Sequence, residues 1–261
     1  MSDNIIEFQQ INMAFGKKEI LNDVSFAVQK GETLAVIGPS GSGKSTILRL
    51  LIGLLEPTGG KILINGQDVS LFDEDHWNSL RQKMGMVFQY SALFDFLSVG
   101  ENVAFGLRQH TELSEAEIQK VVAERLEQVG LPDTQAAYPA ELSGGMKKRV
   151  SLARATALQP EIVLYDEPTA GLDPIMSENI NDLIVKTRET MGVTSILVTH
   201  DMHSVFKVAD RIALLYETRI AAIGTVEEMQ NNPHPVLQKF INGQNMLQNS
   251  EGGRPKNERN Q

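Results

Sequence analysis

The chain contains no cysteine among its 261 residues. That excludes disulfides and thiolate metal sites and fits a reducing compartment. Basic charge is short as well: 24 Lys and Arg face 33 Asp and Glu, a formal net charge of −9. A broad nucleic-acid footprint, and with it a nucleic-acid partner, is not expected. No apolar run approaches the length that spans a bilayer, because Arg49 interrupts the longest one. The opening residues MSDNIIEFQQ lack a basic segment followed by an apolar core, so no secretory signal is read there. A soluble protein is expected, whose membrane role, if it has one, comes through a partner. Hydrophobic residues at 41% and charged residues at 22% are ordinary for a globular chain of one large or two small lobes.

What is present begins with Gly38 to Ser45, GPSGSGKS. The apolar run Leu34 to Ile37 precedes it and the helix-forming run Ile47 to Leu51 follows. Strand, glycine-rich loop and helix is the setting in which GxxxxGK[ST] reads as a triphosphate cradle. Gly38, Pro39, Ser40, Gly41, Ser42 and Gly43 allow successive backbone N–H groups to turn toward phosphates, and the helix start at Lys44, Ser45 and Thr46 adds its positive dipole end. Lys44 is placed to reach the β- and γ-phosphates, and the Ser45 hydroxyl to ligate Mg²⁺.

Short apolar runs at Ile5–Phe8 and Val24–Val28, separated by Gly16, Lys17 and Lys18, read as antiparallel strands. Phe15, just before that turn, is either a base-stacking aromatic or a core residue of the small sheet. Lys61–Ile64 with Asn65-Gly66 predicts a hairpin. Phe72 to Trp77 opens a helix, and Met84 to Phe88 reads as a buried strand ending at Gln89. From about 90 to 160 the pattern turns helical, which suggests a lobe inserted into the sheet domain. In it Ser114 to Glu117 forms a capping box, and Gly130 and Pro132 stop the helix. Leu93, Phe94 and Phe96 either pack inside this lobe or line a groove for a partner's helix. Ser143-Gly144-Gly145 precedes a long helix from Met146 to about Leu158 and is a second possible phosphate-binding end. Ser177 is a candidate cap for the helix through Thr187, with Gly192 as its stop. Strands are expected at Ile162–Glu167, Ser195–Thr199, Arg211–Tyr216 and Ile220–Ile223. Alternating strands and helices argue for a mainly parallel α/β sheet. From about Asn245 the composition becomes that of a polar tail.

Parallel-sheet proteins bind ligands outside the carboxyl ends of their strands. Strand ends here deliver the phosphate loop, Gln89, Asp166-Glu167 and His200. Asp166 is placed to hold Mg²⁺, directly or through water, and Glu167 to polarise an attacking water. His200 can bridge that water and the γ-phosphate.

GPSGSGKS, Gln89, LSGGM (Leu142 to Met146), IVLYDE (Ile162 to Glu167), AGLD (Ala170 to Asp173) and His200, in that order, resemble the full motif series of an ABC-transporter ATPase subunit. The resemblance covers nearly everything from Ile5 to about Gly243. It implies a P-loop NTPase of RecA-like, mainly parallel sheet, with an antiparallel β subdomain and an inserted helical subdomain. On that reading residues 1–244 are the ATP-binding domain and 245–261 the tail. The ligands implied are ATP and Mg²⁺, with Ser45, Gln89 and Asp166 at the metal and Lys44, Gln89, Glu167 and His200 in catalysis. A second copy binds head-to-tail, so that Ser143, Gly144 and Gly145 of one protomer meet the γ-phosphate held by the other. Phe15 becomes the adenine-stacking aromatic, and Asp173 couples the two sites. One departure is that the signature ends in Met146 where the family usually has Gln, and a thioether cannot donate the amide's hydrogen bonds.

Within the superfamily, LSGGM followed by KKRVSLARA, the run GENVAFGLRQHT, DEPTAGLDPI and the ending NPHPVLQKFINGQ look like the Mla/Mce-type lipid-transport ATPases. That subfamily implies an integral membrane permease, lipid-binding accessory subunits, and a place on the cytoplasmic side of the inner membrane. Importers of polar amino acids or methionine are an alternative. So is an ATP-gated regulator resembling the cell-division ABC ATPases.

Overall fold

The computed structural model describes residues 3–242, so the polar tail from 245 lies outside the described residues. Two sheets share the chain. The first is antiparallel, in the order β2-β1-β4-β5, built from β1 (Asn4–Phe15), β2 (Lys18–Gln29), β4 (Gly59–Ile64) and β5 (Gln67–Asp68). β1 and β2 form a longer hairpin than their apolar runs suggested, turning at Gly16 and Lys17. Asn65 and Gly66 both take positive φ, 52° and 75°, as the tight β4–β5 turn requires.

The second sheet runs β10-β9-β3-β8-β7-β6. Its members are β3 (Thr33–Ile37), β6 (Met84–Val87), β7 (Ile162–Asp166), β8 (Thr194–Val198), β9 (Arg211–Tyr216) and β10 (Arg219–Thr225). Every pairing in it is parallel except that of β9 with β10. β3 and β8 are buried at each position, as expected of strands covered on both faces. β6 is the exception. It lies at the edge and is buried only at alternate residues, so the expectation of a buried strand there is corrected.

Alternate residues of the central strands feed two separate cores. Ala35, Ile37, Val163, Tyr165 and Leu197 join the helices α3 (Val99–His110), α4 (Glu115–Gln128), α5 (Gly144–Thr156), α6 (Pro174–Met191) and α7 (Met202–Val208). Leu34, Val36, Leu164, Ile196 and Val198 face α1 (Lys44–Leu51) and the antiparallel sheet, through Ile6, Phe8 and Ile62. The remaining helices are α2 (Glu74–Arg81), α8 (Val226–Gln230) and α9 (Pro235–Ile241). No helix of the described residues is long and apolar enough to cross a membrane.

Helix ends explain two departures from the sequence reading. α6 is capped by Asp173, whose Oδ1 accepts from Met176 N at 3.0 Å, and Ser177 lies buried inside its first turn. Pro174 decides the matter: proline suits the first helical position, which puts the cap one residue earlier. α5 starts at Gly144, two residues sooner than expected, because the Ser143 hydroxyl accepts from Met146 N. The capping box at Ser114 forms, and α3 has another at Ser98 and Glu101 that the sequence reading passed over.

Candidate functional site

The parallel register brings the expected strand ends to one edge, with Val198 of β8 opposite both Val36 of β3 and Asp166 of β7. Between β3 and α1 the loop turns tightly against β9. Gly38 has φ 156°, and a Cβ there would lie 2.2 Å from the Leu215 carbonyl oxygen, so no larger residue fits. The N-cap of α1 is Gly43, which supplies no side-chain acceptor; its carbonyl accepts from Thr46 N at 3.0 Å. Lys44 is buried, and its Nζ donates to the carbonyls of Gly38 (2.8 Å) and Pro39 (2.9 Å). Burial pushes the pKa of this ammonium down, opposed by the charges of Glu167 and Asp166. The Ser42 hydroxyl is buried without a hydrogen-bond partner. A buried orphan donor in a glycine-rich loop at a helix start suits an anionic oxygen.

Ser45 Oγ donates to Asp166 Oδ1 at 3.1 Å. Burial raises the Asp166 carboxyl above its ordinary pKa, and the Glu167 charge adds to the effect; the Ser45 hydrogen bond, Arg49 and Lys44 act against it. Next along, Glu167 occupies the left-handed region at φ 47° while its N–H donates to Val198 O at 2.8 Å. That turn lifts the side chain out of the strand. Glu167 Oε2 accepts from Thr199 Oγ1 at 3.0 Å, and Oε1 meets His200 Nδ1 at 2.9 Å. Thr199 is therefore part of the constellation, although nothing in the sequence separated it from its strand. A cleft of about 550 Å³ opens beside these groups, lined by Glu167, Gly171, His200, His203 and Phe240 among others. A second hollow, about 370 Å³ around Leu50, Phe72 and Trp77, includes none of the site residues.

Gln89 follows β6, and its carbonyl accepts from the Nζ of Lys148 on α5, which also reaches Glu167 O at 3.3 Å. Arg154, two turns further along α5, donates to Ser91 O (2.9 Å) and Ala92 O (2.6 Å). Both of those residues have positive φ. Neither cation was given a role from the sequence, where both fall within the run KKRVSLARA that carries only the subfamily resemblance. The available signal was spacing, since Gly145, Lys148 and Leu152 fall on one buried helical face.

Other expected residues stand apart from this cluster. Phe15 is half exposed at the end of β1, which removes its reading as a core residue of the small sheet. The same hairpin lies over the phosphate loop, for a Cβ at Gly43 would touch Ile20 at 2.9 Å. Ser143 and Gly144 are exposed at the start of α5, and Gly145 lies under Met176. Among the described residues, no hydrogen bond joins these three to the phosphate loop. Asp173 is exposed and caps α6. Leu93 packs on the core, while Phe96 is 78% exposed and touches Phe94, whose ring also meets Phe105.

A phosphate loop at the end of a central parallel strand, with two acids and a histidine on neighbouring strand ends, defines a P-loop nucleoside-triphosphatase. The family described as ABC transporter matches residues 21–170, and the chain belongs to it. Among similar proteins, an Arabidopsis thaliana chloroplast protein, TRIGALACTOSYLDIACYLGLYCEROL 3, is 42% identical over 93% of this chain and 74% of its own length. The intermembrane phospholipid transport system ATP-binding protein MlaF of Haemophilus influenzae is 39% identical over 94% and 92%. Among solved structures, a dimeric post-hydrolysis ATP-binding cassette bound to ADP and Pi superposes with a TM-score of 0.78 at 32% identity, over 85% of this chain and 98% of that one. The cassette cbiO1 of Clostridium perfringens gives 0.82 at 30% identity, over 92% and 96%. The chain is thus an ABC-type ATPase, and its expected P-loop α/β fold stands.

Proposed function

We propose that two copies of this chain power phospholipid movement through a membrane permease. The observation that carries the substrate is the match, over nearly its whole length, to a phospholipid transport ATP-binding protein. The permease places the ATPase on the cytoplasmic side of the inner membrane, with lipid-binding accessory subunits as further partners. Exposed Tyr90 and Phe96, beside the Gln89 loop, offer that permease an apolar contact.

Each site residue takes a role that its geometry permits. Lys44 and backbone N–H groups of the Gly38 to Ser45 loop hold the phosphates, and the Ser42 hydroxyl gains the acceptor it lacks. Ser45 and Asp166, with Gln89, are hard oxygen donors suited to Mg²⁺. Among the described residues no group of three or more His, Asp and Glu is arranged to bind a metal unaided, and Mg²⁺ characteristically completes its shell with phosphate and water. Ser45, Asp166 and Gln89 would hold the ion, which would supply charge neutralisation at the phosphoryl oxygens. Glu167 orients water and takes its proton, with Thr199 and His200 fixing the carboxylate. Ser143, Gly144 and Gly145 complete the site of the opposite protomer, and Asp173 connects the two.

Phe15 stacks on the base. Base–aromatic stacking is worth roughly 1–3 kcal/mol, so Phe15→Ala is expected to raise KM for ATP about 10-fold with little change in kcat. Phe15→Trp should restore it, and an unchanged KM in the alanine variant removes the residue from the base site.

The test of the whole reading is purification of the tagged full-length chain with its membrane partners, followed by mass spectrometry of extracted lipid. Phospholipid is expected in stoichiometric amount. A complex free of lipid, whose ATPase responds instead to an amino acid, makes the chain an importer subunit. A lipid-free complex that responds to no solute makes it a regulator.

A further inference from the structure

Lys148 is 5% exposed, yet it ends on no carboxylate: its Nζ contacts are the backbone carbonyls of Gln89 and Glu167. Lysine is almost never fully buried unless paired, and burial here pushes its pKa down, against the pull of Glu167 and Asp166. An apolar side chain of similar length would fill the same space without desolvating a charge. What the ammonium adds is geometry. Its two acceptors belong to the residues that follow β6 and β7, and one of them, Glu167, has a left-handed backbone. The same helix is capped by Ser143, five residues earlier, and grips the far side of the Gln89 loop through Arg154.

We infer that Lys148 is a positioning residue. It fixes the Gln89 loop and the Glu167 turn relative to each other and to the helix that presents Ser143, so that the position of α5 is transmitted to the reacting groups of the same chain. The inference rests on the roles proposed above for Gln89 and Glu167. Lys148 acts through the two carbonyls that its Nζ meets.

The test uses the full-length chain with Lys148→Met, Lys148→Arg, Gln89→Ala and the double variant Q89A/K148M. A misplacement of about 1 Å at a reacting group lowers rate about 100-fold, so K148M is expected to lower kcat by about 10- to 100-fold while KM for ATP moves less than about 3-fold. K148R, which keeps the charge, is expected to recover most of the rate. Residues that act through one another are non-additive, so the loss in Q89A/K148M should fall clearly short of the product of the two single losses. Normal kcat in K148M overturns the inference. So does failure of K148R to recover, or an effect that multiplies fully with that of Q89A. If K148M does not fold, Lys148→Leu, which likewise offers no donor, is read in its place against the same outcomes. Normal turnover in both Q89A and Glu167→Gln overturns the underlying site reading instead, which separates the two failures.

Discussion

Glu167→Gln is expected to leave ATP binding intact and to lower steady-state phosphate release by about 100- to 10,000-fold, the range that a positioned general base contributes. The substitution is nearly isosteric. The amide oxygen can still accept from Thr199, and the fold around the left-handed turn has no reason to change. What disappears is the ability to take a proton from water. Equilibrium binding of labelled ATP, measured beside phosphate release on the same preparation, separates the two effects. Retention of near-normal hydrolysis removes Glu167 from the role of base, and loss of binding shows that the carboxylate serves the ground state.

The second large effect concerns two chains at once. Lys44→Ala removes the buried ammonium of the phosphate loop, and Ser143→Arg places a bulky cation at the exposed start of α5. Each homodimer is expected to lose nearly all turnover, since phosphate contacts and transition-state positioning each supply two or more orders of magnitude. Mixing the two variants should restore activity. In a head-to-tail pair both defects fall on one site, and the other combines an intact Lys44 with an intact Ser143. With random exchange, half the dimers are mixed and half their sites are sound, giving about a quarter of the unmodified rate. A mixture as inactive as its components shows that Ser143 does not complete its partner's site.

Much of the site was legible because its parts sit where strands end, and strand ends are marked by abrupt changes from apolar to polar residues. Leu34–Ile37 into GPSG, Ile162–Tyr165 into Asp166-Glu167, and Ser195–Thr199 into His200 carry that mark. Contacts made across the chain left none. Lys148 sits within a charged triplet, and only the helical spacing from Gly145 to Leu152 turns it inward. Thr199 belongs by composition to its strand, and its bond to Glu167 spans 32 residues. β6 reads as buried because Met84 to Phe88 is apolar; its place at the sheet edge is a matter of topology that local pattern does not contain. Asp173 and Ser177 are both good caps in isolation. The fixed φ of Pro174 selects between them. Position alone left Phe15 as either a base-stacking aromatic or a core residue of the small sheet, and its exposure removes the second.

The left-handed backbone at Glu167 sets durability against chemistry in one residue. A non-glycine side chain in that conformation costs roughly 1–2 kcal/mol, an amount glycine would not incur. Drift toward a sturdier protein therefore has an open route at this position, and each step along it discards the carboxylate on which turnover is proposed to depend. The hydrogen bonds from Thr199 and to Val198 hold the strained turn in place, so a change at either neighbour is felt at Glu167 before it is felt in the sheet.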